Sequence, residues 1–258
     1  MFEKKKSLGQ NFLTSTHYLA LIADTARLEK DEWALEIGPG EGTLTQELLA
    51  RGANVVAVEK DHRLIPILAE KFAQELGEGR LSLIEGDALE KNIEIVEPYK
   101  LVANIPYYVT GAILEKFLSH EHQPTSAVLL VQKEVAERIA REKKESILSL
   151  SVKAYGNPKY IKTVPAGAFS PPPKVDSAIL SIENISRANF TDRAHEKKFF
   201  DLLHAGFAHK RKLLARNLEA VLGDKAAGAL ASANIAANVR AEDVPLKGWL
   251  ELARFRYR

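Results

Sequence analysis

At 258 residues, 46% hydrophobic and 27% charged, the chain is long enough to bury its own core and has the composition of an ordinary globular protein. It has no cysteine, which excludes disulfides, thiolate nucleophiles and cysteine-ligated zinc and fits a reducing, cytoplasmic setting; no apolar run is long enough for a membrane span, and the start, with Lys4, Lys5 and Lys6 but no apolar stretch before a cleavage site, does not read as a secretory signal. The net charge of +2 is unevenly divided: Arg187 to Arg258 holds 14 Lys+Arg against 8 Asp+Glu, or +6, and the rest holds 22 against 26, or −4, which suits either a polyanionic partner at the basic end or a solvated helical surface.

Short β-branched runs predict strands at Trp33 to Ile37, Asn54 to Glu59, Leu81 to Glu85, Leu101 to Asn104, Ala127 to Gln132, Tyr160 to Val164 and Ala178 to Ile182. Helical spacing falls between them at Thr43 to Arg51, Arg63 to Leu76, Gly111 to Ser119 and Lys133 to Arg141. This alternation predicts an α/β fold with a mostly parallel sheet and helices on both faces. The segment Phe169-Ser170-Pro171-Pro172-Pro173-Lys174 reads as an extended loop, since three successive prolines remove three donors. After about Asn184 only helical patterns remain, at His195 to Ala208, Lys210 to Leu222, Lys225 to Ala233 and Pro245 to Phe255, so a boundary is expected near Ser186, dividing 1–186 from a small helical domain at 187–258.

The first predicted strand runs into Glu36-Ile37-Gly38-Pro39-Gly40-Glu41-Gly42, a turn whose glycines permit positive φ and close approach of a ligand to the backbone. The spacing Gly38, Gly40, Gly42 differs from the dinucleotide fingerprint, and Glu36 and Glu41 beside it suit a cationic sulfonium better than a pyrophosphate. The second strand ends in Glu59, placed to accept from a ribose diol, and the third closes in Gly86-Asp87-Ala88, where Asp87 can accept from an adenine amine. The fourth ends in Asn104-Ile105-Pro106-Tyr107. Asn104 offers a side-chain carbonyl and Ile105 a backbone carbonyl aimed outward by the extended geometry that precedes proline, while Pro106 fixes the turn that presents the Tyr107 ring. Two acceptors and a stacking plate suit methylation of an exocyclic amine, although alone the four residues more readily describe a strand end turning into a helix with a buried tyrosine. The seven histidines show no metal-ligand spacing.

Four blocks together, Gly9 to Leu13, Glu36 to Thr45, Asn104 to Tyr107 and Phe169 to Ser177, resemble the small-subunit (16S) ribosomal RNA adenine N6,N6-dimethyltransferases of the KsgA/RsmA type. Val131 to Arg138 and Gly206 to Lys212 are similar to the same family, so the resemblance spans nearly the whole chain. It implies a Rossmann-like class I methyltransferase sheet with a small all-helical C-terminal domain, S-adenosylmethionine as cofactor with S-adenosylhomocysteine as product, and no metal. It further implies that Asn11, Leu13, Gly38, Gly40, Glu59, Asp87, Ala88 and Asn104 surround the cofactor. Tyr107 and Phe169 would sandwich the target adenine while Asn104 and the Ile105 carbonyl accept its N6 hydrogens.

The family reading expects a monomeric cytoplasmic enzyme acting on two adjacent adenines in a loop near the 3′ end of small-subunit RNA, within an immature 30S particle. Lys210, Arg211, Lys212 and Arg216, at helical spacing or in one cluster, suit RNA phosphates; Ala208-His209-Lys210 stands where many members are richer in arginine. The related Erm methyltransferases of large-subunit RNA share the Asn-Ile-Pro-Tyr turn. A DNA adenine methyltransferase would usually carry a second proline at Ile105 and a larger recognition domain, a dehydrogenase is disfavoured by the glycine spacing, and an assembly checkpoint can coexist with catalysis.

Overall fold

The computed structural model describes residues 11–96 and 98–255; Lys4, Lys5, Lys6, Gly9 and Gln10 lie outside them. Nine strands are found among the described residues: β1 (Phe12–Leu13), β2 (Trp33–Ile37), β3 (Asn54–Glu59), β4 (Leu81–Glu85), β5 (Tyr99–Asn104), β6 (Ser126–Gln132), β7 (Asn157–Val164), β8 (Phe169–Ser170) and β9 (Ser177–Glu183). The helices are α1 (Thr16–Ala26), α2 (Thr43–Ala50), α3 (Ile65–Lys71), α4 (Ala73–Gly77), α5 (Thr110–Ser119), α6 (Lys133–Ala140), α7 (Ile147–Tyr155), α8 (Arg193–Gly206), α9 (Leu214–Leu222), α10 (Ala226–Ser232) and α11 (Leu246–Arg254).

Seven of these strands form one sheet in the order β4-β3-β2-β5-β6-β9-β7. The first five are parallel; helices lie on the connections from β2 to β3, β3 to β4 and β5 to β6, while β4 leads into β5 with no helix among the described residues, and β2, β3, β5 and β6 are largely apolar and buried along their length. Of the last two, β9 is antiparallel to β6 and β7 antiparallel to β9, because β7 and β9 are joined by residues 165–176 with no crossover helix between them. Strand order reverses between β2 and β5, and such a switch point opens a crevice at the carboxyl ends of the strands. Register brings those ends level: Ile37 pairs with Val58 and Ala103, Glu59 with Glu85, and Asn104 with Leu130. Gly38, Glu59, Gly86 and Asn104 therefore meet at one edge.

Two elements at the amino end were not expected. Leu19, Ile22, Ala23 and Ala26 are buried at helical spacing along α1, which packs into the core with Leu44 and Leu48 of α2. Before it, β1 pairs antiparallel with β8, Phe12 opposite Ser170 and Leu13 opposite Phe169, so part of the proline-rich segment read as loop is a short strand. The helix expected from Arg63 to Leu76 is interrupted at Phe72, whose φ of −115° and ψ of 31° leave the helical region.

Contacts divide the chain into two compact units, 1–136 with 157–185 and 137–156 with 186–258. The division expected at Ser186 assigns 137–156 to the first part; the contacts assign it to the helical unit. The physical reason lies in α7, where Tyr155 is buried, donates to Glu196 of α8 at 2.5 Å and packs against Phe190 and Phe200. Arg187 and Arg193 complete the pairing of Glu196. In this unit Trp249 is fully buried and stacks on Phe207, and a Cβ at Gly206 would lie 2.4 Å from the Trp249 ring, so only glycine fits there without a shift.

Candidate active site

All twelve residues singled out for cofactor or base in the first unit line a single cavity: Asn11, Leu13, Gly38, Gly40, Glu59, Asp87, Ala88, Asn104, Ile105, Pro106, Tyr107 and Phe169. The glycine turn that opens it has positive φ at Gly38 (70°), Gly40 (59°) and Gly42 (75°), which side-chain-bearing residues rarely adopt. Beneath the turn, Gly42 leaves room for Phe72 and Leu68, which a Cβ would approach to 2.5 and 2.9 Å. At Gly38 a Cβ would meet only the Asn104 carbonyl, at 3.8 Å, so that position faces open space across the crevice.

Glu59 holds the turn in place. It is 6% exposed, and its two oxygens accept from the backbone N–H groups of Gly40 at 3.1 Å and Asp61 at 2.7 Å. Burial pushes its pKa up, while those two donors pull it back. Asp87 accepts from Leu89 N–H and from Lys60 Nζ at 2.7 Å, and the bond to the Lys60 ammonium holds its carboxyl below the usual carboxylate range. An ionised carboxylate has about four lone-pair sites, so each retains acceptors for ligand hydroxyls or an amine. The residues present thus fit an adenosine-bearing group. Among the described residues no group of three or more His, Asp or Glu could hold a metal ion.

Glu36 differs from expectation. The sequence sets it beside a cationic ligand, but it is 1% exposed, accepts from Thr45 Oγ1 at 2.7 Å and is pushed up to about 8, chiefly by burial. At neutral pH it is a neutral strut under the glycine turn. Its folded pKa is raised, so its contribution to stability is complete below the ordinary carboxylate range and is lost as pH rises toward the folded value. The slope for one such proton is on the order of 1.4 kcal/mol per pH unit. Glu36→Gln is expected to flatten the decline of unfolding free energy between about pH 6 and 8; chemical denaturation across that range checks it, and an unchanged slope would contradict it.

The Asn104 carboxamide has no hydrogen-bond partner among the described residues, and no described hydrogen bond ends on the Ile105 carbonyl. The Ile105 side chain is buried and anchors the turn, and Pro106 has φ −56° and ψ 135°. Two acceptors are therefore available side by side at the cavity. Tyr107 is half-buried, its hydroxyl 2.6 Å from Ser177 Oγ, and burial raises its pKa. Phe169 belongs to the core and is 5% exposed, reaching the cavity from within that packing.

The four residues selected for RNA lie in the second unit, and all are exposed. The helix expected from Lys210 starts only at Leu214, because Leu213 has extended geometry (φ −63°, ψ 148°). Lys210, Arg211 and Lys212 therefore form a turn before α9, while Arg216 lies on α9, 3.0 Å from Glu219. The buried Asn217 fixes that turn by donating to the carbonyls of Gly206 and His209.

Several supports of the site come from outside its motifs. Lys71 Nζ donates to the carbonyls of Glu41 and Gly42, and the Phe12 ring occupies the space a Cβ at Gly40 would need. Neither carries a local signal, since both act from distant segments. Thr45 and Ser177 close two of the family-like blocks, and their position there was the available clue.

The ribosomal RNA adenine dimethylase family model matches residues 1–256. A ribosomal RNA small subunit methyltransferase A of Dehalococcoides mccartyi is 43% identical over 96% of this chain and 87% of its own. The chain belongs to the ribosomal RNA adenine dimethylase family. A second relative of the same name, from Streptococcus gordonii, is 38% identical over 98% of this chain and 91% of its own. Among solved structures, the 23S rRNA methyltransferase ErmE is similar with a TM-score of 0.76 at 28% identity, covering 95% of this chain and 98% of that one. A dimethyladenosine transferase from Plasmodium falciparum gives 0.77 at 26%, covering 93% and 95%. The α/β sheet with its helical unit is thus the Rossmann-like fold of this family, and the chain is an enzyme of the adenine-dimethylating class.

Proposed function

We propose that this enzyme uses S-adenosylmethionine to convert two adjacent adenines, in a loop near the 3′ end of small-subunit ribosomal RNA, to N6,N6-dimethyladenine during assembly of the immature 30S particle. The observation that carries this reading is the single cavity shared by the adenosine-type acceptors Glu59 and Asp87 and the amine acceptors Asn104 and Ile105. Names favour the small subunit as well: relatives named for it are 36 to 43% identical, against 28% for the 23S enzyme.

When bound, the cofactor supplies a methyl group activated by a sulfonium and leaves as S-adenosylhomocysteine. Asn11, Leu13, Gly38, Gly40, Ala88, Glu59 and Asp87 hold it, Glu59 at the ribose and Asp87 at the adenine amine. The chain's own catalytic task is positioning. Asn104 and the Ile105 carbonyl accept the N6 hydrogens of the target and draw its lone pair out of ring conjugation, in bonds that strengthen as the nitrogen becomes tetrahedral and positive. Tyr107 and Phe169 grip the base, which must leave any stack to be reached. The Tyr107 hydroxyl, bonded to Ser177, takes no part as a base. The enzyme works as a cytoplasmic monomer, and among the described residues no helix is long and apolar enough to cross a membrane.

Incubation with methyl-labelled cofactor and separately purified, unmethylated small and large subunits tests the substrate. Label in small-subunit RNA is expected; label confined to the large subunit would move the enzyme to the Erm reaction.

The basic turn supplies phosphate contacts. Each phosphate neutralised contributes about −0.7 to −0.9 to the slope of log affinity against log salt. Replacing Lys210, Arg211 and Lys212 together with glutamine is expected to make that slope shallower by about 2 to 3. Binding titrations at several KCl concentrations check this, and an unchanged slope would remove the turn from the RNA contact.

A further inference from the structure

We infer that Asp176 and Ser177 are positioning residues that set the separation of the two aromatic walls of the base pocket. The inference rests on the base-stacking reading above. Ser177 is fully buried and opens β9, where its Cα is opposite Gln132 of β6 on one side and Val164 of β7 on the other. A residue paired on both sides in the middle of a sheet has little freedom to shift. From this fixed point its hydroxyl meets the Tyr107 hydroxyl at 2.6 Å.

Asp176 performs the matching task for the other wall. Its carboxylate accepts from Ala166 N–H at 3.0 Å, at the start of the turn Ala166–Ala168 that leads into Phe169. Its backbone carbonyl accepts from Lys133 N–H, also at 3.0 Å, tying it to the end of β6. Tyr107 and Phe169 are 62 positions apart in the chain, yet both take their position from two consecutive residues, Asp176 just before β9 and Ser177 at its start. Stacking on both faces of a base requires a fixed gap, and this dipeptide is the element common to both walls.

Burial of the tyrosine hydroxyl would by itself favour a partner, so the test must separate a shared bond from a merely satisfied one. Full-length protein would be assayed as wild type, Ser177→Ala, Tyr107→Phe and the double variant, with steady-state kinetics on small-subunit RNA. The probe for stacking is a loop RNA carrying 2-aminopurine at the target position. If Ser177 acts through the Tyr107 hydroxyl, each single variant loses about tenfold in kcat/KM, the worth of one buried hydrogen bond, and the double loses no more than either. The 2-aminopurine signal weakens in parallel, while affinity for S-adenosylhomocysteine stays within about twofold of wild type.

Asp176→Ala is expected to weaken the same signals, and Asp176→Asn, which keeps an acceptor oxygen for Ala166 N–H, to restore them. Additive losses, an unaltered 2-aminopurine signal, or equal impairment by Asp176→Asn and Asp176→Ala would overturn the inference. Should Ser177→Ala fail to fold, Tyr107→Phe decides: full activity with a full stacking signal overturns the inference, and loss of both supports it. Wild-type protein that transfers no methyl group to small-subunit RNA would instead undo the proposed function. Wild-type transfer with additive variants undoes only this inference.

Discussion

Asn104→Ala is expected to lower kcat by about two to three orders of magnitude, the usual effect of removing one preorganised polar contact to developing charge. The carboxamide stands at the end of a strand paired on both sides and has no partner among the described residues, so its acceptor is held ready without being spent. Its bond to the amine tightens as the nitrogen becomes positive, which places the loss in kcat rather than in ground-state binding. For the same reason the fold should scarcely notice: unfolding free energy should change by no more than about 0.5 kcal/mol. Affinity for S-adenosylhomocysteine should stay within about tenfold, since Glu59, Asp87 and the glycine turn remain. Single-turnover methyl transfer beside calorimetric binding checks all three quantities. Turnover near wild type would remove Asn104 from the chemistry, and loss of turnover with loss of folding would make its role structural.

Glu59→Ala should act on the other half of the cavity and through two effects at once. The substitution strips the Gly40 and Asp61 N–H groups of their acceptor, and leaving a buried donor unpaired costs about 1 to 3 kcal/mol. It also removes the acceptors offered to a ribose diol. The glycine turn then loses its positive-φ geometry as a preferred state, so the ligand must order it on binding. Affinity for S-adenosylhomocysteine is expected to fall by at least about a hundredfold, with a smaller loss of about tenfold for Glu59→Gln, which keeps one acceptor oxygen but turns an amide donor toward an N–H. Isothermal titration checks this. Binding by Glu59→Ala within threefold of wild type would show that the ligand lies elsewhere.

How much of this was legible in the sequence depends on the range over which each feature is determined. Strands β2 to β5 could be read because each is a largely apolar run closed by glycine, acid or asparagine, and the ends of those four runs line the cavity. The register that makes Gly38, Glu59 and Asn104 level follows from strand lengths and was implicit in them. Helix α1 was equally legible, with Leu19, Ile22, Ala23 and Ala26 at helical spacing, but its sequence carries no motif that draws attention. The pairing of β1 with β8 was not legible: Phe12–Leu13 and Phe169–Ser170 are two-residue strands joined across the chain, below the length at which alternation is a signal.

The same limit explains the domain division and the neutral Glu36. Nothing local assigns α7 to the helices after Arg187, because its membership comes from the bond between Tyr155 and Glu196, 41 residues away. An acid in a glycine-rich turn reads as charged until its burial is known, and only the packing of the turn over Glu36 reveals a carboxyl pushed up to about 8. Lys210 to Lys212 illustrate a nearer miss. Their cluster was visible, but one extended residue, Leu213, moves them from a helix face to a turn.

The proposed function requires that the cavity transfer methyl groups to adenine N6 in small-subunit RNA. Nuclease digestion and mass spectrometry of that RNA, before and after unmethylated small subunits are incubated with the enzyme and S-adenosylmethionine, test it most directly. N6,N6-dimethyladenosine is expected at two adjacent positions in one loop near the 3′ end, and absent when Asn104→Ala replaces the wild type. Tight binding of the subunit without any methylated adenosine would contradict the claim.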